Sequence, residues 1–384
     1  LGVGFTGEYI MKKVILPMLM LFSIILGTLP STVYAADDSD DFDSSVNSSS
    51  AVDTSADSEL SQDIDSLLNK KGYSGTILVI KDGKPIYQTS RGYANFSNSA
   101  FNNENTTYEI DSVQKSMTAA MIMKEVQKKK LSLSDKLSEF YPDIPGSKKI
   151  TIRQMLDMTS GLVMNGGSVG PDRIMSDPDI IDSDIDNIKF SKLLYKKWNY
   201  SAVNYNLLSG ILEMVTGNSY RKLFTDSFIK KLNLKHTIFA YDEKPNIQKA
   251  NGYNNIDPLS ARLDYKNAFY TKRSFEFDEL GTGQIYMNAR DLYKVEKYIS
   301  TGSMLTKKSR KILYKRGSVS TYGGGLYHGT DDNFANGWGY GFQTVMHISN
   351  NGKNAVIFLE NYERLAADAK PIAKQVYGMI NNDD

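Results

Sequence analysis

The sequence predicts an α/β fold: one antiparallel sheet flanked by helices, with an inserted, mainly helical subdomain. Two strand-like runs joined around Asp82-Gly83 stand near the start of the folded region. Three more, "YGGGLYHG", "GYGFQTVMHIS" and "NAVIFLENY", stand near its end. Between them, residues 113–130, 151–158, 202–216 and 219–231 space their apolar positions as helices do. A sheet assembled from 59–108 and 318–384, with helices over about 109–270, satisfies all of these observations.

Taken in order, the chain from Met11 reads "MKKVILPMLMLFSIILGTLPSTVYA". Two lysines, an apolar stretch and the small-x-small site Val33-Tyr34-Ala35 form the pattern of a secretory signal peptide. The preceding "LGVGFTGEYI" carries none of that pattern and reads as upstream of the start. Residues 1–35 therefore predict export, to the cell envelope or beyond it. If uncleaved, the same segment would anchor the protein, since spanning takes about 20 apolar residues, and membrane contact is expected through it alone. Residues 36–58, almost pure Asp, Ser and small side chains, bury too little to offset ordering entropy and predict a disordered linker. Residues 59–384 are the folded domain. Leu60–Lys71 places Ile64, Leu67 and Leu68 on one helical face, and the hairpin at Asp82-Gly83 follows. The stretch 163–190, rich in Asp, Gly and Ser, reads as a loop. Asn351-Gly352 marks a turn between the last two strands, and a helix over roughly 363–380 ends the chain.

Composition narrows the function. A chain of 384 residues that is 41% hydrophobic can bury a large core, and a net charge of +1 gives no field for nucleic acid, so no nucleic-acid partner is expected. With no cysteine, thiol catalysis and thiolate metal sites are excluded, and the scattered His236, His328 and His347 are a poor ligand set. No metal and no cofactor is expected.

The stretch "EIDSVQKSMTAAMIM" sets Ser112 and Lys115 three apart where a helix begins, so both share one face. A serine hydroxyl is a weak nucleophile until a neighbouring base takes its proton, and a buried lysine can serve as that base. The helix N-terminus favours the negative charge that develops. The same Ser-x-x-Lys spacing recurs at Ser219-Lys222 and Ser227-Lys230, where it fits an ordinary helix surface. A capping serine followed by a solvated lysine would give the same letters. The small, apolar "MTAAMIM" that follows sets Ser112 apart, because it suits a central helix that buries Lys115.

In longer blocks, "GTILVIKDGKPIYQTSRGYA", "IDSVQKSMTAAMI", "LSLSDKLSEFYPDIP", "ITIRQMLDMTSGL", "YSAVNYNLLSGILEMVTGNSYRKL" and "GTGQIYMNARDLYKV", the sequence resembles the penicillin-recognising serine hydrolases over roughly 60–380. That group takes in class C β-lactamases, D-alanyl-D-alanine carboxypeptidases and related esterases. The resemblance implies a β-lactamase/penicillin-binding-protein-like fold, with Ser112 as acylated nucleophile, Lys115 as its base and Tyr200 as the phenol that passes a proton to the leaving group.

Two motifs depart from the family pattern. Where Tyr-x-Asn is usual, the chain has Tyr200-Ser201-Ala202, and Asn204 lies too far along a helix to replace the missing amide. Where Lys or His precedes x-Gly on a strand beside the serine, "FANGWGYGF" offers Asn336, Gly337, Trp338 and Gly339 and no cation, with Asn336-Gly337-Trp338 as the expected register. The strand backbone still supplies one oxyanion N–H and Ser112 the other. The family's cation holds a substrate carboxylate through a contact worth about 1.5–3 kcal/mol. Without it, a D-alanyl ester on teichoic acid, which carries an ammonium instead, is the better-suited substrate. Similarity to the teichoic acid D-alanine esterase branch implies the same. The acidic stretch 172–186 would attract that ammonium, or is a solvated charge run.

Alternative readings are a D-alanyl-D-alanine carboxypeptidase acting on cell-wall peptides, a β-lactamase, and a catalytically weak relative that binds wall polymer. Gly166–Gly170, "GGSVG", also fits a nucleophile elbow, but its flanks show neither the strand nor the helix that such an elbow requires.

Overall fold

A computed structural model describes residues 58–164, 177–257, 259–260, 262–269 and 279–381. The signal or anchor segment 1–35, the linker up to residue 57 and the Gly166–Gly170 motif lie outside the described residues. Among the described residues, no helix is long and apolar enough to cross a membrane.

Helix α1 (Ser58–Lys71) leads into strands β1 (Gly75–Lys81) and β2 (Lys84–Arg91). Asp82 (φ 50°) and Gly83 (φ 79°) both adopt the left-handed conformation that a tight two-residue hairpin requires. Helices α2 (Gln114–Gln127), α3 (Val203–Thr216) and α4 (Ala289–Ser300) follow. The chain then returns through β3 (Tyr322–Gly323), β4 (Leu326–His328), β5 (Asp332–Gly339), β6 (Phe342–Ser349) and β7 (Ala355–Glu360) before helix α5 (Ala369–Met379). The sheet order is β3-β4-β5-β6-β7-β1-β2, antiparallel throughout. Strand β1 closes on β7 from Gly75↔Glu360 to Ile80↔Ala355, so the two ends of the folded region are neighbours in one sheet.

Both faces of this sheet are buried, which explains why β1 and β7 read as nearly unbroken apolar runs. Ile77, Val79, Val345, Val356 and Phe358 pack on Ile64 and Leu68 of α1 and on Ile372, Ala373 and Val376 of α5. On the opposite face, Leu78, Ile80, Met346, Ile357 and Leu359 join a larger core with α2, α3 and α4.

Three expectations are revised. The last helix starts at Ala369, because Tyr362–Glu363 is taken by a parallel pairing with Tyr253–Asn254 and Asp368 caps the helix at the Lys370 N–H. Helical structure continues past residue 270: Ala289–Ser300 and Lys307–Leu313 are both helices, and Leu292, Val295 and Ile299 give the former its buried stripe. Within 163–190, Leu162–Met164 pairs with Ile188–Phe190, and Asp177–Ile185 of the acidic stretch is helical.

Behind the Ser112 helix, Ser116 Oγ donates to Glu296 Oε1, and Glu296 is fully buried. Burial raises this carboxyl to about 7, against the opposing pull of the Ser116 hydrogen bond. The neutral acid is therefore the form the fold favours, and stability falls as pH rises from about 4.5 to about 7, by on the order of 3 kcal/mol. Burial also raises Glu360 to about 8, so the wild-type slope is composite and the difference between variants isolates Glu296. Glu296→Gln, a standing neutral side chain, should flatten that part of the slope and be the more stable protein at pH 8; urea unfolding at pH 5 and pH 8 measures it.

Candidate active site

The site begins with a short sheet. Tyr108–Glu109 pairs with Ile285–Met287, which also pairs with Thr237–Phe239, and this pairing fixes where the chain enters the next turn. Asp111–Val113 forms one 3-10 turn that runs directly into α2. Asp111 sits at φ 44°, a conformation that Asp and Asn tolerate better than most residues, and it swings Ser112 onto the turn.

Lys115 lies one turn further along and is 1% exposed. Its Nζ donates to Ser112 Oγ at 2.8 Å and to the Thr282 carbonyl at 3.3 Å. No carboxylate pairs with it among the described residues. The Ser112 hydroxyl is thus one of two oxygens that hold a buried amine, the arrangement expected for a nucleophile and its base. Tyr200 comes from the loop before α3, with its ring centroid 5.4 Å from Lys115 Nζ and edge-on to Tyr322 at 6.1 Å. It is 37% exposed, so its phenol stands between the buried pair and solvent.

Ala202 is the N-cap residue of α3 and is exposed. Asn204 faces inward: its Oδ1 accepts from Ser160 Oγ at 2.6 Å and its Nδ2 donates to the Ser201 carbonyl at 2.9 Å. It offers no substitute for the missing motif amide.

The opposite wall is β5. A Cβ on Gly337 would lie 2.2 Å from the Ile110 carbonyl oxygen, and one on Gly339 would lie 2.8 Å from Asp111 Oδ1. Only glycine lets the strand run this close to the turn that carries Ser112. Strand alternation sends Asn336 and Trp338 to the other face, where the Trp338 ring meets Lys370 Nζ of α5 at 5.3 Å. The register that faces the turn is therefore Gly337-Trp338-Gly339, one residue on from the expected Asn336-Gly337-Trp338. Asn336 and Trp338 present backbone to the site, not side chains. The structure brings together Ser112, Lys115, Tyr200, Gly337 and Gly339.

Sequence reading missed Thr282, whose main-chain carbonyl holds Lys115, and the carboxyls beside Ser112. Asp111 is 5% exposed; burial, then Glu109 and Glu279, raise its carboxyl well above the usual range, while Lys115 pulls it down. An acid directly before Ser112 was the available signal for it.

Against known proteins, residues 60–376 match the family model described as Beta-lactamase. The chain belongs to that family. PbpX of Bacillus subtilis, named as a penicillin-binding protein, is 28% identical over 327 residues, covering 84% of this chain and 79% of PbpX. The teichoic acid D-alanine hydrolase of Staphylococcus aureus is 25% identical over 328 residues, covering 80% of this chain and 78% of that protein. Among solved structures, FmtA from Staphylococcus aureus superposes with a TM-score of 0.73 at 22% identity, covering 88% of this chain and 90% of that one. A D-amino acid amidase from Ochrobactrum anthropi shares the fold with a TM-score of 0.71 at 19% identity, over 85% of this chain and 99% of that one. Kinship supports a serine hydrolase of the penicillin-binding-protein and β-lactamase class.

Because Gly337 has no room for a methyl group, Gly337→Ala should force β5 away from the turn. The expected loss is about 1–3 kcal/mol of stability, read by urea unfolding. Turnover of an activated acetate ester should fall with it, while secondary structure by circular dichroism is retained.

Proposed function

We propose that this protein is an exported serine hydrolase of the cell envelope that removes D-alanyl esters from teichoic or lipoteichoic acid. The observation that carries the catalytic part is the buried Lys115 Nζ at 2.8 Å from Ser112 Oγ. Ser112 Oγ attacks the D-alanyl carbonyl carbon as Lys115 takes its proton. The carbonyl oxygen, now negative, is held by the Ser112 N–H and by an N–H of β5. Collapse breaks the ester C–O bond; the proton reaches the departing alkoxide through Tyr200, and the D-alanyl group is left on Ser112. A water then attacks that acyl-enzyme, giving its proton back through Lys115, and D-alanine leaves. Net consumption is one water per ester.

The choice of substrate rests on what β5 presents. Its site-facing positions are Gly337 and Gly339, so the strand offers no cation to a free carboxylate, and an ester that carries an ammonium has no need of one. The S. aureus relative named for teichoic acid D-alanine hydrolysis supports the same reading. A second reading, a D-alanyl-D-alanine carboxypeptidase, is compatible with kinship to PbpX, named as a penicillin-binding protein, and would require another residue to hold the peptide's carboxylate.

Incubated with D-alanylated lipoteichoic acid, the wild type should release D-alanine, and Ser112→Ala should release about 10³-fold less or nothing measurable. Lys115→Ala should cost about 10²–10⁴-fold. A peptide ending in D-Ala-D-Ala should be spared. No release from any teichoic acid overturns the substrate assignment, and release from the peptide alone establishes the carboxypeptidase.

A further inference from the structure

A D-alanyl ester carries its ammonium two bonds from the carbonyl carbon that Ser112 attacks, so its partner must stand close to Ser112 in space. Asp111 is the adjoining residue, and its carboxyl lies against the end of β5, where a Cβ on Gly339 would fall 2.8 Å from Oδ1. Asp111 is 95% buried, and its Oδ2 has no hydrogen-bond partner among the described residues. Glu279 comes to the same place from the segment that holds Lys115. Its Oε2 accepts from Thr282 Oγ1 at 2.7 Å, and its Oε1 from the Tyr340 hydroxyl at 3.5 Å, at the β5–β6 turn. Between the two acids sits Gly283, where a Cβ would lie 2.9 Å from Glu279 Oε2 and 3.3 Å from the Asp111 Cα.

We infer that Asp111 and Glu279 form the ammonium subsite of this enzyme and set its preference for acyl groups with a free α-amine, an inference that rests on the D-alanyl ester reading above. An ammonium brings three N–H donors and a full positive charge; Asp111 Oδ2 is a buried oxygen without a donor. A carboxyl in that state is costly unless a cation arrives or it keeps its proton. Burial and the neighbouring Glu109 and Glu279 raise the Asp111 carboxyl well above its ordinary range, against the pull of Lys115, so pairing with a cation would let it ionise. In place of the family's cation, the chain has glycine on β5 and carboxyl groups on the turn beneath it.

The test compares two small substrates, D-alanine methyl ester and its N-acetyl derivative, on the full chain. The quantity read is the ratio of their kcat/KM values. Wild type should favour the free amine, and Glu279→Gln and Asp111→Asn should each reduce that preference by about tenfold or more, chiefly through KM for the amine substrate. Asn at 111 keeps the tolerance for φ 44°, and Glu279 lies outside the nucleophile's turn, so the two variants do not share one route to misfolding. A wild type indifferent to acetylation overturns the inference, as do variants that slow both substrates equally, which would make the acids positioning residues only. Teichoic acid is assayed separately. Amine preference lost in the variants, without D-alanine release from the polymer by wild type, upholds the subsite and sinks the polymer assignment. Release from the polymer with the preference intact in both variants sinks the subsite alone.

Discussion

Strand β5 runs so close to the Ile110–Asp111 turn that a methyl group at Gly337 would overlap a main-chain oxygen. That approach is where the sheet built from both chain ends meets the helical region inserted between them, and the site lies on the seam. The Ser112 turn comes from the insert and the opposing strand from the C-terminal return. The sheet holds its half through the β1–β7 register and burial on both faces. The insert holds its half through the short pairing of Tyr108–Glu109 with Ile285–Met287. A fault in either anchor would widen the gap that the glycines keep narrow.

Burial gives the Ser112–Lys115 pair its character. A lysine on a surface helix would trade Ser112 for water and hold no fixed geometry. Here α2 is surrounded: Thr118 Oγ1 donates to the Gly281 carbonyl, the Gln284 N–H donates to Gln114 Oε1, and Met117 and Ile122 are fully buried. These contacts fix the helix against residues 281–284, the segment that supplies the second acceptor for Lys115. Lys115 is thus positioned by main chain, which cannot rotate away as a side chain can.

Much of this was legible in the letters. The hairpin at Asp82-Gly83 and the two-faced strands declared themselves because the left-handed turn and continuous apolar runs have few alternative readings. Ser112 and Lys115 were legible from spacing only together with the apolar stretch that follows, since Ser219-Lys222 shows the same spacing at a helix cap. The register of β5 was not legible. In "ANGWGYG" the glycines at 337, 339 and 341 make neighbouring frames look alike, and only the close approach to Ile110 tells which face each residue takes. Thr282 was invisible for a different reason: a carbonyl acceptor leaves no mark on residue type. The late start of the last helix depended on a partner strand more than a hundred residues away at Tyr253, which local periodicity cannot report.

The acids at the site bear on stability as well as recognition. Each buried carboxyl without a full set of donors makes the free protein less stable than an apolar replacement would. Natural folds keep such costs where function needs them. Asp111 is held in a left-handed backbone, beside glycines, under a strand that has no cation to offer it. A neutral Asn would satisfy the same left-handed turn. What an acid adds, on the proposed reading, is a carboxyl next to Ser112 that can give up its proton when the substrate's ammonium arrives to pair with it. Binding then relieves a cost already present in the folded chain, so a cationic substrate gains from a site that a neutral one leaves strained.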